Sequence, residues 1–303
     1  MLHVAAEGEA VKVWRSGVHH FRLPLELPQF KRATALAKQK SRPDPWVIPA
    51  RFAMRLADAQ QRVLLLDYDG TLAPFAPDRG AAFPYAGVAH LLERIMKTTG
   101  TRVALISGRP ARDVPRLIGI NPAPEVWGSH GLERLHPDGR YEMPEIENEI
   151  LGYLGQAVAE LESLGLRQVT ETKPGAVAVH WRWLPSSKLE EVKATAYRVM
   201  SRGTRNPALQ LELFDGGLEL RIRGRNKGDA VRTILSEMDT DVAVAYLGDD
   251  VSDEDAFRAL CGKGLSVVVT PKYRFSAAEV WLKPPDDLIH FLLDWVTACE
   301  GEL

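Results

Sequence analysis

Two aspartates, Asp67 and Asp69, follow a short apolar run in the sequence LLLDYDGTL at residues 64–72. The run predicts a buried strand of a parallel sheet with Asp67 at its carboxyl end, where open α/β sheets bind their ligands. A carboxylate there can attack phosphorus, and a second one two residues later can protonate the leaving oxygen and then activate water. Two carboxylates facing a phosphate would repel it, so we expect a cation such as Mg²⁺ beside them. The alternative is a surface turn, in which Asp and Gly are common.

Two further segments place a phosphate-binding group at the end of a strand or the start of a helix. Ser107 follows the predicted strand 102–106, and its hydroxyl can donate to a phosphate oxygen or cap the helix predicted to follow. Lys227 stands between Gly224 and Gly228 at the start of a predicted helix, a position that suits contact with an anion. By itself, Lys227 would be interpreted as an ordinary surface lysine.

An acidic cluster follows the predicted strand 242–247. Five carboxylates lie within the seven residues 249–255, and they would repel one another without a cation or a basic partner. The alternative is a capped helix start with Ser252 or Asp250 as N-cap. Both interpretations can hold, because only one of these carboxylates needs to meet a metal.

The elements that must position these residues predict two kinds of sheet. Strands that alternate with helices predict an α/β fold with a parallel, doubly wound sheet. Between residues 138 and 224 the order changes to α-β-β-α-β-β, which predicts antiparallel pairs in an inserted α+β cap domain. The predicted division is an extension that lies on the core or mediates contacts at 1–45, a first part of the core at 46–137, the cap at 138–224, and a second part of the core at 225–303.

The cap strands are predicted to carry one apolar and one polar face. In the predicted strand 217–223, Leu218 and Leu220 point to one side and Glu219 and Arg221 to the other. The polar face suits a hydroxyl-rich ligand, although a merely solvated face is normal for antiparallel sheets.

The composition is close to that of a typical soluble globular protein, with 303 residues, 45% of them hydrophobic and 26% charged. The formal net charge of −2 gives no electrostatic reason to expect nucleic acid as a partner. Two cysteines are too few for a disulfide framework. No apolar run approaches the roughly 20 residues that span a bilayer, and the first residues lack the pattern of a secretory signal. We therefore expect a cytoplasmic protein without a membrane partner.

Four motifs, in this order and spacing, resemble those of the haloacid dehalogenase-like phosphatases. Further details resemble one branch of that superfamily, the trehalose-6-phosphate phosphatases, and the resemblance extends over roughly residues 60–297. The four motifs are DYDGT at 67–71, ISGR at 106–109, Lys227 within GRNKG at 224–228, and GDDVSDE at 248–254. The details are GSHG at 128–131, ETK at 171–173 and the long form of the last motif.

The resemblance implies hydrolysis of trehalose 6-phosphate through an aspartyl-phosphate on Asp67. Asp69 would donate a proton to the departing sugar oxygen and later activate water. Ser107 and Lys227 would bind the transferring phosphoryl oxygens and stabilise charge in the transition state.

The same hypothesis assigns Mg²⁺ as the cofactor. Asp67, the backbone carbonyl of Asp69 and Asp249 would hold it, and Asp250 and Asp253 would orient water or the catalytic lysine from behind the metal ligands.

The resemblance also implies which residues bind the sugar phosphate. Glu171, Lys173 and Glu219 would contact the trehalose hydroxyls, and His130, Arg109 and Arg182 are further candidates. A functional pairing with a trehalose-phosphate synthase would supply the substrate.

Three alternatives stay open at this point. The same type of phosphatase could act on another sugar phosphate, such as a sucrose or glucosylglycerol ester. A phosphomutase would transfer the phosphoryl group from Asp67 to another hydroxyl. A catalytically silent binding or regulatory protein would belong to another class, and the intact Asp67, Asp69, Lys227 and Asp249 argue against it.

Overall fold

The computed structural model describes residues 2–7, 10–15, 18–24, 48–239 and 241–300, with side chains described from residue 48 onwards. The strands before residue 25 pair antiparallel in sequence order. The contacts predicted for residues 1–45 concern positions that lie mostly outside the described residues. These strands are β1 (Leu2–Glu7), β2 (Ala10–Arg15) and β3 (Val18–Pro24).

From residue 48 to residue 128, strands and helices alternate as the sequence pattern predicts, and two short strands follow. The strands are apolar runs such as residues 63–66, which are all buried. The helices are amphipathic and place residues such as Leu56 and Leu92 against the sheet. The elements are α1 (Ala50–Asp58), β4 (Gln61–Leu66), α2 (Val88–Thr98), β5 (Arg102–Ile106), α3 (Val114–Ile118), β6 (Glu125–Gly128), β7 (Glu133–Leu135) and β8 (Tyr141–Glu142).

The helix expected directly after Ser107 begins only at Val114, so Ser107 caps no helix. The carbonyls of Ser107 and Arg109 instead accept hydrogen bonds from the N–H groups of His130 and Ser129, at 2.9 and 2.8 Å. A helix beginning at residue 108 would use these two carbonyls for its own hydrogen bonds, so they could not accept the N–H groups of residues 129 and 130.

The cap segment has the predicted order of two helices and two strand pairs. Both helices pack on one face of its sheet, where Val177, Val179, Leu218 and Leu220 are buried. The predicted apolar face of the cap strands is therefore confirmed. The elements are α4 (Asn148–Ser163), β9 (Thr170–Lys173), β10 (Ala176–His180), α5 (Ser186–Met200), β11 (Leu209–Phe214) and β12 (Gly217–Ile222).

The chain then returns to alternating helices and strands. Helix α6 (Lys227–Ser236) begins with a capping box, in which Asn226 and Asp229 each accept a hydrogen bond from the other's backbone N–H. The remaining elements are β13 (Val242–Gly248), α7 (Glu254–Leu260), β14 (Leu265–Val269), β15 (Val280–Leu282) and α8 (Asp286–Glu300).

In the described chain, the larger sheet has the order β15-β14-β13-β4-β5-β6-β7-β8, and it is parallel from β15 to β6. We call it the core sheet. Alternate residues of β4 point to its two faces. Leu64 and Leu66 pack with the helices α1, α2 and α8, and Val63 and Leu65 pack with α6 and α7. The strand order reverses between β4 and β13, which is the place where doubly wound sheets bind ligands.

The smaller sheet, which we call the cap sheet, has the antiparallel order β11-β12-β10-β9. The sequence pattern does not predict the short strands β7 and β8, which add an antiparallel edge to the core sheet. The domain division at residues 138 and 224 stays a prediction, and β8 favours a first boundary after residue 142. Among the described residues, every helix is too short or too polar to span a lipid bilayer.

Candidate active site

The carboxyl ends of β4 and β13 bring the first and last motifs together. The N–H of Asp67, directly after β4, donates to the carbonyl of Leu247 near the end of β13 at 2.8 Å, so the two strand ends are directly paired. Gly70 adopts a φ of +85°, and a Cβ at this position would lie 2.0 Å from Oδ2 of Asp249. A glycine is therefore required for the turn after Asp67 and for the close approach of Asp249.

Lys227 connects the third motif to this point. Its Nζ donates to Oδ1 of Asp67 at 2.6 Å and to Oδ1 of Asp253 at 2.7 Å, and all three side chains are buried. Although burial alone lowers the pKa of Lys227, the carboxylates of Asp253 and Asp67 raise it above its ordinary value. The lysine is therefore a fixed cation beside the candidate nucleophile.

The carboxylate oxygens of Asp67, Asp249 and Asp253 lie within 4.8 Å of one another, close enough to share one metal ion. Asp253, however, already accepts four hydrogen bonds. Its Oδ1 accepts from Lys227 and from the hydroxyl of Tyr246 at 2.5 Å, and its Oδ2 accepts from the N–H groups of Asp249 and Asp250 at 3.0 and 2.9 Å. Asp67 and Asp249 are thus the better metal ligands, because their oxygens have fewer partners.

The charges at this point fit a divalent cation. Burial raises the pKa of Asp67 to about 7, although Lys227 lowers it. Burial and the carboxylates of Asp67 and Asp253 raise the pKa of Asp249 well above its usual value. A hard cation would offset this repulsion, and carboxylate, carbonyl and water oxygens are the ligands that Mg²⁺ prefers.

Asp69, the candidate acid and base, is paired with Arg109. Nε and Nη2 of Arg109 donate to its two carboxylate oxygens, each at 2.6 Å, and Nη1 donates to the carbonyl of Arg79 at 2.8 Å. Burial opposes the charge of Arg109, but Asp69 raises its pKa. The buried Ser107 lies beside this pair, and its Oγ accepts the N–H of Arg109 at 3.1 Å.

Ser129 and His130 have positive φ angles of 45° and 57°, which are rare for residues other than glycine. Besides the backbone bonds described above, the buried Glu133 holds this turn. Its Oε1 accepts from the Ser129 hydroxyl at 2.6 Å, and its Oε2 accepts from the N–H of Ala111 at 3.0 Å. Sequence reasoning does not identify Glu133, since it belongs to a short strand that has no clear pattern.

The polar face of the cap sheet meets the core at Lys173 and Glu219. Nζ of Lys173 donates to Oε1 of Glu219 at 2.5 Å and to the carbonyl of Gly108 at 3.0 Å. Oε2 of Glu219 lies 3.1 Å from Nε2 of His130. Burial alone would raise the pKa of Glu219, but Lys173 and His130 together lower it. Both oxygens of this carboxylate therefore have partners from the protein.

Glu171 has a different environment. It forms an ion pair with Arg79, and its Oε2 lies 2.8 Å from Nε2 of His180. Arg79 also contacts His180, with Nη1 2.8 Å from the same Nε2. Sequence reasoning misses Arg79, because the proline-rich loop that carries it has no periodic signal that points to the cap.

Arg182 forms a second contact between cap and core. Its guanidinium lies 3.6 Å from the centroid of the Phe75 ring, and Nη1 donates to Asp215 at 2.8 Å. The N–H of Asp215 donates to Oδ2 of Asp250 at 3.3 Å. The β11–β12 turn therefore lies against the last motif of the core.

A cavity of about 610 Å³ lies between the core strand ends and the polar face of the cap sheet. All the site residues predicted from the sequence line this cavity, except Ser107, Glu219 and Asp253. Glu219 lies behind Lys173 and His130, which do line it. This volume is in the usual range for a site that binds a small molecule.

A larger cavity, of about 760 Å³, lies at the amino-terminal ends of β5 and β6, away from these motifs. Its arginines are already paired, for example Arg102 with Glu125 at 2.7 Å and Arg134 with Glu237 at 2.6 Å. It contains none of the predicted site residues, so the smaller cavity is the candidate active site.

The family model described as trehalose-phosphatase matches residues 65–273, a range that contains the four motifs. The chain belongs to the trehalose-phosphatase family. It is 31% identical over 276 residues to the trehalose-phosphate phosphatase of Mycobacterium marinum, covering 88% of this chain and 63% of that protein. The family predicted from the motifs is therefore confirmed, and the chain spans less than two thirds of this relative's length.

Two solved structures from Candida albicans share the fold. The C-terminal domain of trehalose-6-phosphate phosphatase has a TM-score of 0.63 and 18% identity, and covers 86% of this chain and 99% of that one. The C-terminal domain of a trehalose synthase regulatory protein has a TM-score of 0.62 and 15% identity, and covers 82% of this chain and 98% of that one. The predicted fold class, a haloacid dehalogenase-like doubly wound core with an inserted α+β cap, is confirmed. Because both names occur with this fold, the fold alone does not separate an enzyme from a regulator.

Proposed function

We propose that this chain hydrolyses trehalose 6-phosphate to trehalose and phosphate, with Asp67 as the nucleophile. The observation that carries the proposal is the buried pair of Asp67 and Lys227, 2.6 Å apart at the base of a cavity that the cap covers. The activity named for the Mycobacterium marinum relative supports the choice of substrate.

Asp67 is the attacking group in this proposal. Lys227 donates to Oδ1, whereas Oδ2 has, among the described residues, only a long contact of 3.4 Å with the Thr71 hydroxyl, so we assign the attack to Oδ2. A bond forms between this oxygen and phosphorus while the bond from phosphorus to the sugar oxygen breaks. Water then attacks phosphorus, releases phosphate and restores the carboxylate. Lys227 stabilises the negative charge of the phosphoryl oxygens throughout.

Asp69 transfers the protons. It gives one to the departing sugar oxygen and takes one from the attacking water. Both carboxylate oxygens of Asp69 accept a hydrogen bond from Arg109, so at least one of these bonds has to break before Asp69 can give a proton to the sugar oxygen. We propose that the substrate phosphate attracts the Arg109 guanidinium, and that Ser107 donates to the same phosphate.

Asp67, Asp249 and the backbone carbonyl of Asp69 would hold Mg²⁺, which when bound supplies positive charge that offsets the charge of phosphate. Asp253 orients Lys227 through their 2.7 Å bond and does not serve as a ligand. The carboxylate of Asp250 accepts the N–H of Val251 at 2.7 Å and so caps the following turn, next to the metal ligands.

The cap contributes three of the proposed sugar contacts, and His130 comes from the core. Lys173, Glu171, His130 and Arg182 line the cavity and are the proposed contacts to the sugar hydroxyls. For Glu219 we propose a different role from the one expected from the sequence, because it holds Lys173 and His130 in place from behind. A functional pairing with a trehalose-phosphate synthase remains part of the proposal.

A panel of sugar phosphates tests the proposal, with release of inorganic phosphate measured with and without Mg²⁺. Trehalose 6-phosphate should be hydrolysed with the highest kcat/KM, EDTA should abolish the reaction, and added Mg²⁺ should restore it. Preference for a sucrose or glucosylglycerol ester would change the substrate and keep the chemistry. Transfer to a second sugar without release of phosphate would indicate a mutase, and no reaction with any ester would leave the regulatory alternative.

A further inference from the structure

The backbone of Asp249 and Asp250 is held from two sides. Their N–H groups donate to Oδ2 of Asp253, at 3.0 and 2.9 Å. Their carbonyl groups accept from a single guanidinium, because Nε of Arg274 donates to Asp249 and Nη2 donates to Asp250, both at 2.8 Å. Two side chains therefore bind all the backbone polar groups of this dipeptide.

Arg274 comes from the loop between β14 and β15, one residue beyond the range matched by the family model. Its Nη1 pairs with Oε1 of Glu254 at 2.5 Å, and Oε2 of Glu254 accepts the N–H of Ala277 at 2.7 Å. Glu254 is buried at the start of α7. The guanidinium is thus both oriented and neutralised by a carboxylate that is itself held in place.

We propose that Arg274 is a positioning residue of the metal site. By binding both carbonyls, it sets the backbone of Asp249 so that the carboxylate lies beside Asp67, as the proposed Mg²⁺ site requires. The position is tightly constrained, since Oδ2 of Asp249 lies 2.0 Å from where a Cβ of residue 70 would be. A small movement of this backbone would therefore change the distance between the two ligands.

The role depends on the shape of the guanidinium and not on its charge. A free cation this close to Asp249 would compete with a metal ion, but Glu254 neutralises Arg274. Arginine presents two parallel N–H donors in a rigid plane, whereas lysine presents a single flexible ammonium that reaches one carbonyl at a time. Arg274→Lys therefore keeps the charge and loses the geometry.

The test is direct binding of Mg²⁺ to the metal-free full chain, measured by isothermal titration calorimetry. The dissociation constant for Mg²⁺ should rise by about 10- to 100-fold in Arg274→Lys, as expected when support behind a metal ligand is lost. The matched control is Arg258→Lys on α7, where the arginine is exposed and pairs with Asp255 at 2.9 Å. Its Mg²⁺ affinity should stay within about twofold of the wild-type value.

A second readout separates positioning from general stability. The increase in Tm caused by Mg²⁺ should be smaller in Arg274→Lys than in the wild type, whatever the Tm of the metal-free proteins. Unchanged Mg²⁺ affinity with a lower metal-free Tm would overturn the proposal, because a merely structural role predicts that result. If Arg274→Lys does not fold, it is replaced by Glu254→Asp, which keeps the neutralising charge but shortens its reach to the guanidinium, and unchanged affinity there would also overturn the proposal.

The inference rests on the metal site of the proposed function, and the two can fail separately. Absence of Mg²⁺ binding by the wild-type protein would refute the metal site itself. Equal binding by wild type and Arg274→Lys would refute only the role of Arg274.

Discussion

Two groups of charged side chains meet at the cavity, and they are held in different ways. The core cluster consists of Asp67, Lys227, Asp249 and Asp253, and its members contact one another at strand ends and helix starts of the core. The cap face consists of Glu171, Lys173 and Glu219. Each of its members has a partner in the core segments: Arg79 for Glu171, the Gly108 carbonyl for Lys173 and His130 for Glu219.

This difference indicates that the core cluster and the cap face have different roles. The core cluster is complete without the cap, so its geometry is set before a substrate arrives, as stabilisation of a charged transition state requires. In the cap face, Lys173 and Glu219 bind each other, but the remaining contacts form only when the cap lies on the core. Substitutions in the first group should therefore affect every substrate, and substitutions in the second should affect the sugar phosphate alone.

The largest effect is expected for Asp67→Asn. Loss of the nucleophile should lower kcat by roughly four to six orders of magnitude on trehalose 6-phosphate and on an aryl phosphate alike. Burial raises the pKa of Asp67 to about 7, so its ionised carboxylate destabilises the folded protein. Asparagine carries no charge, and the metal-free variant should therefore have a Tm equal to that of the metal-free wild type or above it. Phosphate release and a thermal scan provide the two measurements, and near-normal turnover in a folded variant would remove Asp67 from the chemistry.

The second-largest expected effect distinguishes the core cluster from the cap face most clearly. Glu219→Gln weakens the bonds that hold Lys173 and His130, and kcat/KM for trehalose 6-phosphate should fall by about 10- to 100-fold. The rate on a small aryl phosphate should change by less than about threefold, since this substrate makes no contact with the cap.

The matched control for that variant is Glu190→Gln on the cap helix α5, where the carboxylate is exposed and pairs with Lys193 at 3.1 Å. It should leave both rates near the wild-type values. Equal losses of Glu219→Gln on both substrates would contradict the division between core cluster and cap face.

A smaller effect is expected at Arg79. Arg79→Lys keeps the charge but cannot retain the guanidinium contacts with Glu171 and His180, and the side chain is a third exposed. We expect KM for trehalose 6-phosphate to rise by about three- to tenfold with little change in kcat, because solvent partly screens the ion pair of Arg79 and Glu171. Steady-state kinetics measure this, with the exposed cap variant Arg198→Lys as the control, and a loss confined to kcat would move Arg79 into the core chemistry.

The smallest effect concerns the pH dependence of stability. Burial, Arg79 and Lys173 lower the pKa of His180 to about 3, below its ordinary value of 6.5. Between these two values the unfolded chain binds a proton that the folded chain does not, so the free energy of unfolding decreases as the pH falls below 6.5. The decrease in Tm between pH 7.5 and pH 5 should therefore be a few degrees smaller in His180→Gln than in the wild type. Equal decreases in both proteins would show that His180 titrates normally.

Much of the core cluster could be predicted from the sequence, because its positions follow from local patterns. The apolar run before Asp67 and the one before Asp249 predict buried parallel strands, and the ends of such strands meet at one edge of the sheet. Gly224 and Gly228 flank Lys227 at the start of a predicted helix. These signals lie within a few residues of the groups that they position.

The sequence alone thus determined most of the strands and helices and the polar side of the cap sheet, since periodicity shows which way a side chain points. It could not determine what that side chain meets. Only the tertiary structure decided that Glu219 lies behind Lys173, that Arg109 holds both oxygens of Asp69, and that Arg79 reaches Glu171. The partners of these contacts are 40 to 92 residues apart in the chain. Their distances depend on how the elements of the core and of the cap pack among themselves and, for Arg79 and Glu171, on how the cap packs against the core, which no local pattern encodes.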